Sequence, residues 1–169
     1  MSKNTRFLTH AAVIAALYAV LTHLQNVLLP GSTTWAIQMR LSEALCVLSF
    51  FTPAAIPGLT VGCLVFNITY AAALPLDFLV GSLATLLAAG GMWLTRRVTV
   101  KGYPLLGMAM PALFNALLVG WELTVYIGGG FFLNALYVAL GELAVLLTFG
   151  TVLYYAVKKR HLDTTVFSA

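Results

Sequence analysis

The sequence predicts an all-α membrane protein, a bundle of six transmembrane helices with cytoplasmic N- and C-termini. Of the 169 residues, 61% are hydrophobic and 8% are charged, whereas soluble domains are typically about 45–50% apolar and about 25% charged. The apolar residues form long runs that are separated by proline, glycine and polar residues. The basic residues flank these runs, as topology signals do.

The six predicted helices form one integral membrane domain, residues 1–169. Proline at a first helical position and glycine after a last one match several of their ends. The fourth helix opens at Pro75 and the fifth at Pro104, while Gly128–Gly130 separates the fifth from the sixth. The helices cover residues 7–29, 41–51, 56–72, 76–95, 104–127 and 131–157.

The first two helices differ in length. Phe7–Leu29 follows two basic residues as a signal peptide would, but it is longer than a signal core and no A-x-A site closes it. We therefore expect a retained first helix. Leu41–Phe51 is shorter than the about 20 residues that a bilayer core requires. We expect this segment to begin in the preceding loop, or to be a tilted or partial helix.

The basic residues support six spans. If the N-terminus is cytoplasmic, six spans place all of the flanking basic residues on the cytoplasmic side, as the positive-inside rule expects. Fusing the second and third helices would move the loop 96–101 outside. The basic residues are Lys3, Arg6, Arg96, Arg97, Lys101, Lys158, Lys159 and Arg160.

Polar side chains from five helices lie in the outer half of the membrane once each helix is given its direction. An ionised side chain at a helix centre costs roughly 2.5–3.5 kcal/mol, and such residues usually face the bundle interior and serve a site. We therefore predict a substrate-binding site in this half. Its candidate residues are Arg40, Glu43, Asn67, Asp77, Asn115, Glu122, Asn134, Tyr137 and Glu142.

Several of these residues have a second interpretation. Arg40 and Asp77 lie at helix ends, where solvation is an equally good explanation. Asn67 is equally well explained as a contact between helices. A functional role is favoured for Glu122, which is deeper and shares a helix face with Asn115, seven residues earlier.

The acidic excess predicts the chemistry of the ligand. Four of the five acids lie in this zone with one local cation, which suits a ligand that carries positive charge or several N–H donors. Function is also favoured for Glu43 and Glu142, although Arg40 is close enough in sequence to pair with Glu43. A carboxylate matches the N–H edge of a guanine-like ring, and an asparagine can bind its carbonyl and ring nitrogens.

Aromatic residues and a loop residue complete the candidate site. Trp35, Trp121 and Tyr137 can stack on a flat ring, and the alternative is a belt at the membrane interface. Gln38, at the end of the loop after the first helix, is a further candidate for substrate binding.

The sequence lacks the motifs of several other functions. It contains no G-x-x-x-x-G-K-[ST], HExxH or G-x-S-x-G. The histidines give no metal-ligand spacing, and we expect no cofactor. The basic residues are explained by topology rather than by nucleic-acid binding. Cys46 and Cys63 are interpreted as small buried hydrophobes. An intramembrane dyad of His23 with Ser42 or Ser82 is a minor alternative.

Small residues form stripes on the first helix. Ala11, Ala15 and Ala19 make one stripe, and Ala12 and Ala16 make an adjacent one. Small residues four apart let helices approach closely. The stripes therefore indicate either packing inside the bundle or a docking face for a partner protein.

Five stretches in collinear order carry a family resemblance: residues 38–45 (QMRLSEAL), 53–62 (PAAIPGLTVG), 77–87 (DFLVGSLATLL), 114–122 (FNALLVGWE) and 132–142 (FLNALYVALGE). Together they resemble the QueT family, substrate-binding S components of energy-coupling factor (ECF) transporters for queuosine precursors.

The resemblance implies a six-helix bundle of the ECF S-component type in the cytoplasmic membrane of a prokaryote. Such a chain binds its nutrient near the outer face and works with a transmembrane T component and two ATPase subunits, so it is not itself an enzyme. The alanine stripe resembles the A-x-x-x-A docking motif of the family. The implied substrate is a queuosine precursor such as 7-aminomethyl-7-deazaguanine.

Other functions stay open at this point. The nearest alternative is an S component for another flat nutrient or vitamin. An intramembrane enzyme and a stand-alone transporter are further alternatives from other classes.

Overall fold

A computed structural model describes residues 2–33, 39–71 and 73–167, and this part of the chain is helical without strands. A ten-residue 3-10 helix lies between the first two α-helices, and a π-helical stretch joins α6 to α7. The elements are α1 (Lys3–Leu28), the 3-10 helix (Leu41–Phe50), α2 (Ala55–Thr69), α3 (Asp77–Thr95), α4 (Leu105–Met108), α5 (Met110–Tyr126), α6 (Phe131–Val145), the π-helical stretch (Leu146–Gly150), α7 (Thr151–Lys159) and α8 (Leu162–Thr165).

Within the described ranges, four helical stretches are long and apolar enough to cross a membrane. They are Lys3–Leu28, Asp77–Thr95, Leu105–Tyr126 and Phe131–Lys159. The 3-10 helix and α2 are apolar but shorter. The prediction of an all-α membrane protein is therefore confirmed, whereas the count of six spans and the cytoplasmic side of the termini stay predictions.

The 3-10 helix lies inside the bundle, with eight of its ten residues buried. A 3-10 helix rises about 2.0 Å per residue, so ten residues extend about 20 Å, against about 15 Å for an α-helix of that length. The helix contacts α1, α3 and the π-helical stretch. There Gly150 admits Val47, since a Cβ atom at Gly150 would lie 3.2 Å from the Val47 side chain. The short second segment thus extends further than its residue count suggests.

Helices α1 and α2 run parallel in close contact. A Cβ atom at Gly58 would lie 2.7 Å from the Ala11 carbonyl oxygen, and one at Gly62 would lie 2.7 Å from that of Ala15. Both contacts advance by four residues along both helices, which gives the relative direction. Small residues four apart on each helix therefore bring the two backbones together.

The two described ends of the chain meet at one end of the bundle. The Arg6 guanidinium donates hydrogen bonds to the carbonyl oxygens of Thr165 and Val166. The loop between α3 and α4 lies at the same end, since the Tyr103 hydroxyl is 2.6 Å from Thr151 Oγ1 and its ring stacks on Tyr155. We call this the basic end because the flanking Lys and Arg residues lie there.

Candidate functional site

A group of buried polar side chains lies toward the opposite end of the bundle. The 3-10 helix fixes the direction, because Phe50 at its last turn packs edge-on against Tyr154 of α7, near the basic end. Its first turn therefore lies away from that end. Side chains of the 3-10 helix, α2, α3, α5 and α6 contribute to the group. We call it the polar cluster; its members are Arg40, Glu43, Asn67, Asp77, Ser82, Asn115, Glu122 and Glu142.

Arg40 and Asp77 form an ion pair inside the protein. An Arg40 Nη atom lies 3.3 Å from Asp77 Oδ2, and Arg40 Nε donates to the Thr33 carbonyl oxygen at 3.4 Å. The two side chains are 5% and 7% exposed, so solvation at helix ends does not describe them. Arg40 could have paired with Glu43, which is close in sequence, but its salt-bridge partner is the acid that begins α3, which the fold brings close from 37 residues away.

Asn67 connects α2 to the start of α3. Its Nδ2 donates to the Asp77 carbonyl oxygen at 2.8 Å and contacts Cys63 Sγ at 3.5 Å. Its Oδ1 is buried and has no hydrogen-bond partner among the described residues. Gly81 leaves the room for this arrangement, since a Cβ atom there would lie 2.9 Å from both Asn67 Nδ2 and Asp77 Oδ1. Asn67 therefore holds two helices together and keeps one acceptor free.

Glu43 is held by hydrogen bonds on both of its oxygens. The Tyr18 hydroxyl donates to Oε1, and the Cys46 thiol donates to Oε2 at 3.1 Å. Because side chains three apart eclipse on a 3-10 helix, Glu43 and Cys46 share one face. The adjacent Ser42 receives a hydrogen bond from Thr22 of α1 at 2.7 Å. Glu43 is thus anchored between α1 and its own helix.

Glu122 differs from Glu43 because its oxygens are free. The side chain is 0% exposed, and neither oxygen has a hydrogen-bond partner in the described part of the chain. Asn115, two turns earlier on α5, is also buried with a free Nδ2. Glu122 is close enough to be repelled by the charge of Asp77 on α3 and attracted by that of Arg40, which precedes the 3-10 helix. The predicted shared face of Asn115 and Glu122 is therefore turned into the bundle.

Two further members complete the polar cluster. Glu142 of α6 is buried with Oε2 unpartnered, and it interacts electrostatically with Glu43 and Arg40. Ser82 of α3 has a buried hydroxyl without a partner among the described residues. Both lie on helices that flank α5, so the free groups come from a continuous set of packed helices.

The free atoms of the polar cluster indicate what it can bind. Buried polar atoms in folded proteins nearly always have partners, and an unpaired one costs about 1–3 kcal/mol. Here the free acceptors belong to carboxylates and an asparagine carbonyl, and Asn115 adds a free amide donor. Such a set suits a ligand that donates several hydrogen bonds and accepts one or two. Among the described residues no three His, Cys, Asp or Glu side chains are grouped to hold a metal ion.

The structure does not bring every predicted residue to the polar cluster. Trp121 is 49% exposed and points away from the interior. Tyr137 is half-buried on α6. Asn134 donates to Thr124 Oγ1 and to the Gly128 carbonyl oxygen, both at 3.0 Å, and so ties the turn between α5 and α6. Trp35 and Gln38 lie outside the described residues.

A polar face on α1 was missed by the sequence interpretation. Its members are buried, and they approach the 3-10 helix and the loop that precedes it. Their spacing of four, three and one residues places them on one side of a helix, which is the signal that could have revealed them. They are Tyr18, Thr22, Gln25 and Asn26.

The two cysteines lie beside the polar cluster, whereas His23 contacts a threonine of α2. Cys46 and Cys63 are buried and free, as expected, but both sulfur atoms make polar contacts with the polar cluster. The serine–histidine dyad is not assembled: a ring nitrogen of His23 lies 2.9 Å from Thr69 Oγ1, Ser42 bonds to Thr22, and the Ser82 hydroxyl has no partner among the described residues.

A second feature lies on the outside of α1 and α2, away from the polar cluster. An apolar groove of about 280 Å³ runs between the two helices. Its lining residues are Leu8, Ala11, Ala12, Ala15, Pro57, Gly58 and Val61. Ala11 and Ala15 are half-buried and Ala12 is exposed, so this stripe both packs against α2 and forms an outward surface. Ala16 is exposed outside the groove lining, and Ala19 is buried.

Comparison with known proteins gives one family. The family model described as QueT transporter matches residues 8–159, which is most of the chain. No curated protein and no solved structure matches the chain.

Proposed function

The chain belongs to the QueT transporter family, and we propose that it is the substrate-binding S component of an ECF transporter for a queuosine precursor such as 7-aminomethyl-7-deazaguanine. In this proposal it captures the substrate in the polar cluster and performs no chemistry on it. The polar cluster faces the outside of a prokaryotic cell, and the basic end faces the cytoplasm.

The observation that carries the proposal is the Glu122 carboxylate, which is fully buried with both oxygens free. A guanine-type ring presents two adjacent N–H donors on one edge, and a carboxylate accepts such a pair with parallel hydrogen bonds. Asn115, two turns away on the same face, offers a free amide donor for the ring carbonyl. A buried carboxylate without a ligand is costly in a membrane, so substrate binding satisfies it.

The aminomethyl group supplies the second part of the match. It carries a positive charge, and the polar cluster holds four acids with one cation, Arg40. Glu142 Oε2 and Asp77 Oδ1 are free acceptors for an ammonium group. A ligand of about 13 heavy atoms reaches nanomolar affinity at about −1 kcal/mol per atom, which is within the range of small ligands.

Transport needs partners that the chain does not supply. The sequence has no P-loop motif, so we assign ATP hydrolysis to two separate ATPase subunits and coupling to a transmembrane T component. The apolar groove on α1 and α2 is the proposed docking face for the T component, because it exposes small and apolar side chains on the outside of the bundle.

Substrate binding by the purified protein is the direct test. We expect a nanomolar dissociation constant for 7-aminomethyl-7-deazaguanine by calorimetry, and mass spectrometry of the purified protein should identify a copurified 7-deazaguanine. Glu122→Gln should weaken binding by about tenfold or more, because it replaces an acceptor with a donor. The matched control is Asp163→Asn, which changes an acid at the basic end and should bind like the wild type.

A panel of flat nutrients separates the proposal from its nearest alternative. Tight binding of a vitamin and no heat signal with any queuosine precursor would refute the substrate assignment. An equal loss of affinity in Glu122→Gln and Asp163→Asn would contradict the proposed role of Glu122 in substrate binding.

A further inference from the structure

We propose that Tyr18 is a positioning residue of the substrate site, which it serves by fixing the carboxylate of Glu43. The proposal rests on the proposed function, because it assigns the site its binding role. Tyr18 lies on α1, the helix that also lines the outward groove, whereas Glu43 lies on the 3-10 helix inside the bundle.

Close packing of α1 and α2 places the tyrosine. A Cβ atom at Gly62 would lie 2.7 Å from Tyr18 Cβ, so only a glycine admits the tyrosine side chain at this depth. The ring is fully buried, and its hydroxyl reaches Glu43 Oε1 across the helix interface. The contact therefore depends on the register of α1 against α2.

The two donors at Glu43 leave it one orientation. Tyr18 occupies Oε1, and Cys46, one 3-10 turn further on, occupies Oε2 at 3.1 Å. Glu43 is therefore not an open acceptor as Glu122 is. It is a fixed group that interacts electrostatically with Arg40 and with Glu142, whose Oε2 is free for a ligand.

Loss of the tyrosine hydroxyl would release this arrangement. Tyr18→Phe keeps the ring packed but leaves Glu43 Oε1 without the donor that holds it in place. The carboxylate then turns toward another donor and changes the electrostatic environment of Glu142 and Arg40. We expect about tenfold weaker binding of 7-aminomethyl-7-deazaguanine.

The test is a double-mutant cycle by calorimetry. Tyr18→Phe should cost about tenfold in the wild type and less than about twofold in a Glu43→Met background, because the acceptor is then absent. The matched control is Tyr103→Phe, which removes the tyrosine hydroxyl that bonds to Thr151 at the basic end and should stay within about twofold of the wild type. An equal loss in both backgrounds would show that Tyr18 acts by packing alone and would overturn the proposal.

An infrared measurement tests the hydrogen bond between Tyr18 and Glu43 without any ligand. In protein labelled with 13C-glutamate, the difference from Glu43→Met assigns the carboxyl stretching band of Glu43. Tyr18→Phe should shift this band and Tyr103→Phe, at the basic end, should not. An unchanged band refutes the proposal. A shifted band in a protein that binds no queuosine precursor would support the Tyr18–Glu43 contact and refute only the assignment of a queuosine precursor as the substrate.

Discussion

Replacing Gly81 by alanine would test whether the corner of the polar cluster formed by Arg40, Asp77 and Asn67 belongs to the substrate site. The new methyl group would lie 2.9 Å from Asn67 Nδ2 and 2.9 Å from Asp77 Oδ1. Ordinary contacts of a Cβ atom are longer by about 0.5 Å, so both groups must move. Asn67 Nδ2 donates to the Asp77 carbonyl at 2.8 Å, and the other carboxylate oxygen of Asp77 pairs with Arg40. The displacement therefore disturbs three side chains at once.

The expected loss follows from these contacts. Disturbing one buried hydrogen bond costs about 1–3 kcal/mol, and alanine recovers about 1 kcal/mol over glycine within a helix. The fold should therefore lose no more than about 2 kcal/mol of stability. If Asn67 Oδ1 and Asp77 Oδ1 accept hydrogen bonds from the substrate, as we propose, binding should weaken by about 1–2 kcal/mol, or about five- to thirtyfold.

Gly90→Ala is the matched control, because a Cβ atom at Gly90 of the same helix meets no atom within 4 Å. Both variants would be titrated with 7-aminomethyl-7-deazaguanine in lipid nanodiscs, and their thermal unfolding would be compared. Gly90→Ala should bind like the wild type and unfold at the same or a higher temperature. Wild-type affinity in Gly81→Ala would refute the reasoning that places this corner at the substrate.

Two further substitutions test other parts of the bundle. Ala12→Leu should leave substrate binding intact but block uptake in cells that express the ECF partners, because the leucine side chain fills the groove. Ala16→Leu, outside the groove lining, should transport normally. Equal transport by both variants would contradict the docking role of the groove. Gly120→Ala should lower the unfolding temperature in nanodiscs, at a cost of about 1–3 kcal/mol, because its Cβ atom would lie 2.8 Å from the Ala135 backbone and force α5 and α6 apart. An unfolding temperature equal to that of Gly90→Ala would show that the two helices tolerate this displacement.

The sequence was informative about the class of protein and about which acids are unusual. Long apolar runs with flanking basic residues predict a helical membrane protein, because a bilayer imposes the same requirement on every span. Glu122 and Asn115 were predictable for the same reason, since a polar face inside an apolar helix must turn inward. The structure buries both of them with free atoms.

Other features could not be predicted, because they depend on contacts between distant segments. The partner of Arg40 is Asp77, 37 residues away, rather than the nearby Glu43. Trp121, by contrast, could have been excluded from the sequence alone: adjacent residues on an α-helix point about 100° apart, so burying Glu122 turns Trp121 outward. The hydroxyl of Tyr18 becomes significant only when α1 packs against the 3-10 helix.

The three-residue repeat of the 3-10 helix also limits how its length can change. Inserting or deleting a single residue between Glu43 and Cys46 would turn one part of the helix by about 120° against the other and separate the carboxylate from the thiol. Adding a whole turn of three residues would restore the facing but shift one end by about 6 Å, which removes Arg40 from Asp77 or Phe50 from Tyr154. Only the present length of the 3-10 helix keeps both the direction of its side chains and the positions of its two ends. We therefore expect insertions and deletions to be tolerated in the loops around this helix and excluded within it.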